Sequence, residues 1–137
     1  MTLFFDTSAL AKRYIEESGS KQVKALFEQA DAIWVSAICF IELISAFCRL
    51  RRDEKLNKFQ YNQMKADVAE DFEDFVVCDI TPGITEQVTR ILEGNTLRGM
   101  DALHIGCAIE WRADGFVSGD KRQIVAAKNA GLNVIEV

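Results

Sequence analysis

The sequence predicts an α/β protein with a three-layer α/β/α architecture and a central parallel sheet of four to five strands. Short apolar runs alternate with helical segments along the whole chain, and a helix between two strands connects them in parallel. The 137 residues are 49% hydrophobic and 27% charged, which is typical of globular proteins and predicts a single domain over residues 1–137. We expect a flavodoxin-like strand order or the related Rossmann-like order.

The first half of the chain predicts two strands, each followed by helix. Leu3, Phe4 and Phe5 form a short apolar run, which indicates a buried strand, and the hydroxyl residues after it indicate a helix start. A second apolar run ends at Val35 and leads into a helix that is apolar on most sides, so we expect that helix to be buried. The predicted elements are a strand over residues 2–5, helices from Ser8 to Glu17 and from Lys21 to Ala30, a strand from Ala32 to Val35, and a helix from Ser36 to Arg52.

The second half predicts four helices and three short strands. A charged segment keeps one apolar stripe at helical spacing, which predicts a helix with a solvated face. Pro82 suits the first position of the next helix, and Gly131 suits the end of the last one. The predicted elements are helices from Asp53 to Phe75, Thr81 to Glu93, Asp101 to Trp111 and Asp120 to Ala130, and strands from Val76 to Ile80, Gly115 to Ser118 and Val134 to Ile135.

The charge balance argues against an unselective nucleic-acid binder. The chain carries 16 basic and 21 acidic residues, a formal net charge of −5, whereas unselective phosphate binding usually goes with a basic surface. A local basic patch beside an acidic pocket is still compatible with this total.

The remaining composition predicts a cytoplasmic protein that does not enter a membrane. The first residues have neither a basic flank nor a long apolar run, so no signal peptide is expected, and the longest apolar stretch is interrupted by polar residues. The four cysteines, Cys39, Cys48, Cys78 and Cys107, lie in apolar contexts and form no C-x-x-C pair. We expect them to be small buried hydrophobic residues in a reducing cytosol rather than zinc ligands.

Four acidic residues stand in places that call for explanation. Asp6 follows the first predicted strand, Asp120 follows the fourth, Asp101 opens an apolar helix, and Glu42 is the one charge in a long apolar segment, about two turns into its predicted helix. Each has an ordinary structural interpretation, because aspartate is favoured at helix N-caps and a buried glutamate can belong to an ion pair. Taken singly, none of them identifies a site.

Taken together, these acids predict a metal site. Residues after parallel strands meet at the carboxyl edge of the sheet. Close carboxylates repel one another and need a cation between them, and hard oxygen ligands suit Mg²⁺ or Mn²⁺. Such a metal activates water and stabilises charge on an attacked phosphate, so the predicted chemistry is phosphodiester hydrolysis.

Four separated segments then point to a family. They are FFDTSAL at residues 4–10, SA and IEL within residues 36–43, DALHI at 101–105 and SGDKR at 118–122. Together they resemble the PIN domain family, and the small single-domain form resembles the VapC toxins of toxin–antitoxin pairs. The resemblance implies an endoribonuclease that depends on Mg²⁺, with Mn²⁺ as a substitute.

The resemblance also implies site residues and partners. The catalytic and metal-binding acids would be Asp6, Glu42, Asp101 and Asp120, with Thr7, Ser8 and Ser118 as supporting residues. The resemblance implies that the fourth position, Asp120 in this chain, varies among members. Members are usually homodimers that act on RNA, and the toxins are inhibited by a small VapB-like antitoxin that occludes the active-site groove.

Several basic residues and one histidine complete the prediction. Candidates for contacts to RNA phosphates are Arg13, Arg98, Lys121 and Arg122, with ordinary surface charge as the alternative for each. His104 lies three residues after Asp101, so both can share a helix face, and we expect it to be a hydrogen-bonded supporting residue. A ribonuclease that uses two histidines is excluded, because the chain has one.

Two alternatives within this fold stay open. The domain could act in housekeeping RNA processing, or it could be a catalytically silent binding protein. Four retained, mutually repelling carboxylates argue against the second. Other α/β phosphate chemistries fit less well: a haloacid-dehalogenase-like phosphatase needs an aspartate where this chain has Ser8, and a receiver domain at Asp79 lacks its other acids and lysine. The target RNA and the number of metal ions are not encoded in these motifs.

Overall fold

A computed structural model describes all of residues 1–137 and contains one parallel sheet of five strands. The strands are β1 (Thr2–Phe5), β2 (Ala32–Ser36), β3 (Val76–Cys78), β4 (Gly115–Ser118) and β5 (Val134–Glu136). Their order across the sheet is β3-β2-β1-β4-β5. The predicted α/β class is confirmed, and of the two expected strand orders this is the Rossmann-like one.

Seven helices connect and cover the strands. They are α1 (Thr7–Tyr14), α2 (Ser20–Gln29), α3 (Cys39–Arg52), α4 (Lys58–Asp74), α5 (Pro82–Gly94), α6 (Gly99–Glu110) and α7 (Lys121–Asn129). The long charged segment begins its helix at Lys58 rather than Asp53, because Asn57 forms a capping box with Gln60. The helix at Pro82 starts as predicted, with the Thr81 hydroxyl as its cap.

The sheet separates two apolar cores, and β1 contributes to both. Leu3 and Phe5 pack on one side with residues of α1 to α4. Phe4 points to the opposite side and packs with residues of α5 to α7. This alternation follows from the two-residue period of a strand. Because all three side chains are fully buried, β1 is the centre of the three-layer structure.

Helix α3 differs from its prediction in position and in burial. It begins at Cys39, since Ser36 ends β2, so Glu42 lies in the first turn and not two turns into the helix. Only Cys39, Leu43 and Phe47 of this helix are buried, and Ile41 is 71% exposed. The expectation that α3 is buried on most sides is therefore wrong, and the helix buries a single stripe.

The strand order fixes where polar side chains can gather. Strands β1 to β3 follow one another towards one edge of the sheet, and β4 and β5 follow one another towards the opposite edge. The topological switch point therefore lies between β1 and β4. Asp6 follows β1 and Ser118 ends β4, which places both at this point on the carboxyl edge. Ser36 ends the neighbouring β2 on the same edge.

Two further expectations concern the cysteines and the membrane. All four cysteines are free; Cys39, Cys78 and Cys107 are buried as predicted, whereas Cys48 is only half-buried and contacts the Tyr61 hydroxyl. None of the helices has the length and apolar character that crossing a bilayer requires.

Candidate active site

Asp6 lies at the centre of the carboxyl edge and is fully buried. One carboxylate oxygen, Oδ1, accepts hydrogen bonds from the Ala9 amide at 2.8 Å and from the Ser8 hydroxyl at 2.7 Å. The other oxygen, Oδ2, accepts one from the Ser118 hydroxyl at 2.5 Å. Asp6 is thus the N-cap of α1, and the structural interpretation of this residue is correct. A cap, however, does not require complete burial between two strands.

The environment of Asp6 disfavours its charge. Burial raises the pKa of this carboxyl above its ordinary value, and the imidazole of His104 and the hydrogen bonds offset that effect only in part. None of the ion pairs in the molecule involves Asp6. A buried carboxylate without a basic partner is energetically costly, which makes it a candidate ligand for a cation.

The two serines beside Asp6 also tie β4 to α1. The Ser8 hydroxyl accepts from the Gly119 amide at 3.0 Å, and the Ser118 hydroxyl accepts from the Asp120 amide at 3.1 Å. The loop after β4 is therefore held against the start of α1. These contacts give Ser8 and Ser118 a supporting role in the geometry around Asp6.

Glu42 is held by a hydroxyl group and an imidazole rather than by a lysine or arginine. Its Oε1 atom accepts from the Thr7 hydroxyl at 2.6 Å and lies 2.7 Å from Nε2 of His104. Burial pushes the pKa of Glu42 upward, but hydrogen bonds from His104 and Thr7 outweigh it, so the pKa lies below its ordinary value. The basic group nearest to Glu42, at the distance of an ion pair, is His104 and not an arginine.

Asp101 and Asp120 are linked through Gln123. Asp101 lies in the first turn of α6, whose N-cap is Arg98, so the cap interpretation is wrong for Asp101. Asp120 does cap α7 by accepting from the Gln123 amide at 2.9 Å. The Gln123 side chain donates to Asp101 at 3.2 Å. Burial raises the pKa of Asp101, Arg98 lowers it, and the charges of Asp120 and Glu42 raise it further.

The four acids, Asp6, Glu42, Asp101 and Asp120, therefore lie along the carboxyl edge of the sheet, here named the acidic edge, but in separate hydrogen-bonded groups. No three histidine, cysteine, aspartate or glutamate side chains are grouped closely enough to hold a metal ion together. Each carboxylate faces its own donors, as the mutual repulsion of close carboxylates favours. The donor set itself consists of hard oxygens, which suit Mg²⁺ or Mn²⁺.

One buried atom supports the fit of a cation to this edge. Gln123 is 4% exposed, and its side-chain carbonyl oxygen has no hydrogen-bond partner. An unpaired buried acceptor beside two carboxylates is unfavourable for a protein alone. It is compatible with a cation, or with a water held by one, next to Asp101 and Asp120. Sequence reasoning missed Gln123, because glutamine three residues into a helix carries no distinctive signal.

One of the four basic candidates is held in a close ion pair, and the other three form a long ion pair or none. Arg13 makes two hydrogen bonds to Asp71, at 2.6 and 3.0 Å, and stacks on the Phe27 ring. It joins α1 to α4, so this structure gives it a structural role. Arg98 lies 3.6 Å from Asp101 with its side chain 86% exposed.

Lys121 and Arg122 border a shallow depression that extends along α7 to Asn129. Neither takes part in an ion pair. The depression has a volume of about 450 Å³ and is also lined by Asn95 and Asn129, which are hydrogen-bonded to each other. Its cations directly follow Asp120 in the chain, so the depression offers cations and amide groups along the helix that this acid caps.

Comparison with known proteins places this site in context. The chain is 28% identical to Ribonuclease VapC45 of Mycobacterium tuberculosis, over 96% of this chain and 93% of that protein. Its fold matches that of Mycobacterium tuberculosis VapC20, a sarcin–ricin loop cleaving toxin, with a TM-score of 0.69 and 17% identity over 98% of both chains. It also matches FitAcB from Neisseria gonorrhoeae, with a TM-score of 0.71 and 15% identity over 98% of this chain and 96% of that one.

At such low identity the two solved structures show a shared fold. The family assignment comes from the sequence, whose residues 3–129 match the model of the PIN domain. That match includes all four acids and all but the last of the five strands. With its acidic carboxyl edge and its strand order, this chain belongs to the PIN domain family.

Proposed function

We propose that this protein is a metal-dependent endoribonuclease and the toxin component of a VapBC-type toxin–antitoxin pair. The observation that carries the proposal is Asp6, a fully buried carboxylate that has no basic partner at the switch point of the sheet. The resemblance to VapC ribonucleases over nearly the whole chain supports the choice of RNA as substrate.

We assign the four acids to metal binding and catalysis. Asp6, Glu42 and Asp101 would hold Mg²⁺ directly or through water, with Mn²⁺ as a substitute, and Asp120 would complete the shell or orient the attacking water. The metal would supply an activated water and stabilise charge on the phosphate. Ser8 and Ser118 orient Asp6, and Thr7 orients Glu42. We propose one catalytic domain over residues 1–137.

The substrate would extend from the acidic edge across the start of α7. Lys121 and Arg122 would neutralise phosphates on one side of the scissile bond, and Arg98 is exposed near Asp101 for the same purpose. Asn95 and Asn129 could accept or donate hydrogen bonds to bases of an unpaired strand. This arrangement explains how a chain with a net charge of −5 could bind RNA locally.

The proposed partners follow from the family. Several proteins that share this fold were solved as toxin–antitoxin complexes, including VapBC2 from Rickettsia felis with promoter DNA. We therefore propose a small VapB-like antitoxin that occludes the acidic edge, and action in the cytoplasm. A homodimer is also proposed, since Val76 and Val77 leave an apolar surface on the edge strand β3 that a second copy would cover.

The decisive experiment measures cleavage of single-stranded and structured RNA by the purified protein in Mg²⁺, in Mn²⁺ and in EDTA. Two variants carry the same chemical change at different carboxylates. Asp6→Asn removes the charge at the acidic edge, whereas Asp71→Asn removes it where Arg13 already neutralises it. We expect metal-dependent cleavage that falls on the order of a thousand-fold in Asp6→Asn, because several kcal/mol of transition-state stabilisation are lost.

The control decides how the result is interpreted. Asp71→Asn should cleave as the parent does once the protein is folded. Equal activity in Asp6→Asn and the parent would refute the assignment of the site. If none of the proteins cleaves RNA but Mg²⁺ binding depends on Asp6, the result would favour a highly selective toxin. If the parent neither cleaves RNA nor binds Mg²⁺ through Asp6, the result would favour the silent binding protein.

A further inference from the structure

We propose that Ser36 and His104 form a positioning pair that holds Glu42 through the Nε2–H group of the imidazole and leaves one carboxylate oxygen of Glu42 free for a ligand. The pair acts through Glu42, so it affects the reaction only if the acidic edge is the active site as proposed above. Its geometry can be tested independently of activity.

The three residues form a continuous chain of hydrogen bonds. The Ser36 hydroxyl lies 3.0 Å from Nδ1 of His104, and Nε2 of the same ring lies 2.7 Å from Oε1 of Glu42. Ser36 and His104 are both completely buried, whereas the Glu42 side chain is 30% exposed. The chain therefore runs from the interior, at the end of β2, out to the acidic edge.

The groups around the ring require a proton on Nε2. The Thr7 hydroxyl proton is directed to Glu42, so near Nε2 the available groups are the Glu42 carboxylate and the Thr7 oxygen at 3.3 Å, and both can accept. On the other side of the ring, Nδ1 lies 3.0 Å from the Ser36 hydroxyl, a group that can donate or accept a hydrogen bond. Ser36 thus fixes the ring orientation in which Nε2 donates to Glu42.

This arrangement leaves Glu42 able to bind a cation. Both protein donors contact the same oxygen, Oε1, and Oε2 accepts no hydrogen bond from the protein. One carboxylate oxygen is anchored and the other is available at the acidic edge. The imidazole holds the carboxylate through one oxygen, whereas the arginine that holds Asp71 bonds to both oxygens of that carboxylate. A partner that orients a ligand in this way typically changes affinity or activity by ten- to a hundred-fold.

The tautomer can be observed directly, because His104 is the only histidine of the chain. In protein labelled with ¹⁵N-histidine, a long-range ¹H–¹⁵N spectrum contains one ring and distinguishes the two tautomers from the imidazolium. With EDTA and then with Mg²⁺, we expect a proton on Nε2. A ring protonated only at Nδ1 overturns the proposal.

Two variants test the functional part. Ser36→Ala removes the donor to Nδ1, and Ser20→Ala is a matched control, because Ser20 is a buried serine whose hydroxyl contacts only backbone groups near α2. We expect Ser36→Ala to shift the ring signals of His104 and to lower kcat about ten-fold or more with KM little changed. Ser20→Ala should keep both. An unchanged spectrum and kcat in Ser36→Ala overturns the proposal.

A second pair of variants separates positioning from folding. His104→Gln keeps an N–H donor that can reach Glu42, whereas His104→Phe fills the space without one. We expect His104→Gln to retain several-fold more activity than His104→Phe at equal thermal stability; equal loss in both contradicts the positioning role. If His104→Phe does not fold, the spectra of the parent and of Ser36→Ala still decide. A parent that cleaves no RNA refutes the proposed function alone, since the tautomer is measured without turnover.

Discussion

Asp6 and Asp71 are acids of the same type with opposite environments. Asp71 is held by two hydrogen bonds from Arg13 and one from the Tyr14 hydroxyl at 2.7 Å. Burial pushes the pKa of Asp71 upward, but the bonds from Arg13 and Tyr14 outweigh it and leave the pKa below its ordinary value. Asp6 has only hydroxyl and amide donors, and burial leaves its pKa raised.

The difference teaches how a structural acid can be told from a candidate ligand. A carboxylate whose charge is neutralised by arginine joins two helices and has nothing left to attract a metal. A carboxylate that is buried without such a partner reduces stability, which a protein tolerates where the charge is used. The same contrast applies to the cations, since Arg13 is committed to Asp71 whereas Lys121 and Arg122 are free.

The largest effect that tests this comparison is on stability. Asp71→Asn should lower the free energy of unfolding by roughly 1–2 kcal/mol, because the guanidinium of Arg13 loses its charged acceptor. Asp6→Asn should leave it unchanged or raise it, because an uncompensated buried charge is removed. Urea titrations of both variants and the parent in EDTA measure this. A loss of stability in Asp6→Asn as large as that in Asp71→Asn would contradict the difference proposed between the two acids.

A smaller effect is expected for the free cations. Replacing Lys121 and Arg122 together by alanine should weaken binding of single-stranded RNA by about five- to ten-fold, and should lower the slope of log Kd against log salt by about 0.7 for each lost phosphate contact. Lys128→Ala is the matched control on the same helix, because Lys128 is paired with Glu136. Fluorescence anisotropy in an Asp6→Asn background, which prevents cutting, gives both numbers. An equal loss of RNA affinity in the Lys128→Ala control would show that the depression is not where RNA binds.

The smallest effect is a change in the pH dependence of stability. The lowered pKa of Asp71 contributes stability above the ordinary aspartate value of 3.8, and that stability is lost as pH falls through the lowered value. The raised pKa of Asp6 has the opposite effect on stability. Protonation removes the buried charge of Asp6, so stability is gained as pH falls through the raised pKa. The acid-side decline should therefore be shallower in Asp71→Asn and steeper in Asp6→Asn. Urea midpoints between pH 7 and pH 3 in EDTA measure both slopes, and identical slopes in the three proteins would contradict both signs.

Local patterns were sufficient to predict the architecture. The apolar run at Leu3, Phe4 and Phe5 predicts a buried strand because alternate residues must be buried on two faces, and the structure buries all three. The pattern placed the start of α3 too early, since Ser36 resembles a helix cap in sequence but ends β2. Its hydroxyl pairs with His104, a contact that no local propensity encodes.

The sequence by itself determined that this chain is a parallel α/β protein with three acids at strand ends or helix starts and a fourth within an apolar helix, because strand and helix periodicities are local properties. Only the tertiary structure decided what each charged side chain does. Arg13 meets Asp71 across 58 residues, His104 meets Glu42 across 62, and Ser36 meets His104 across 68. Such partners are chosen by how the helices pack on the sheet, so the same residue types become a structural ion pair in one place and an oriented, accessible carboxylate in another.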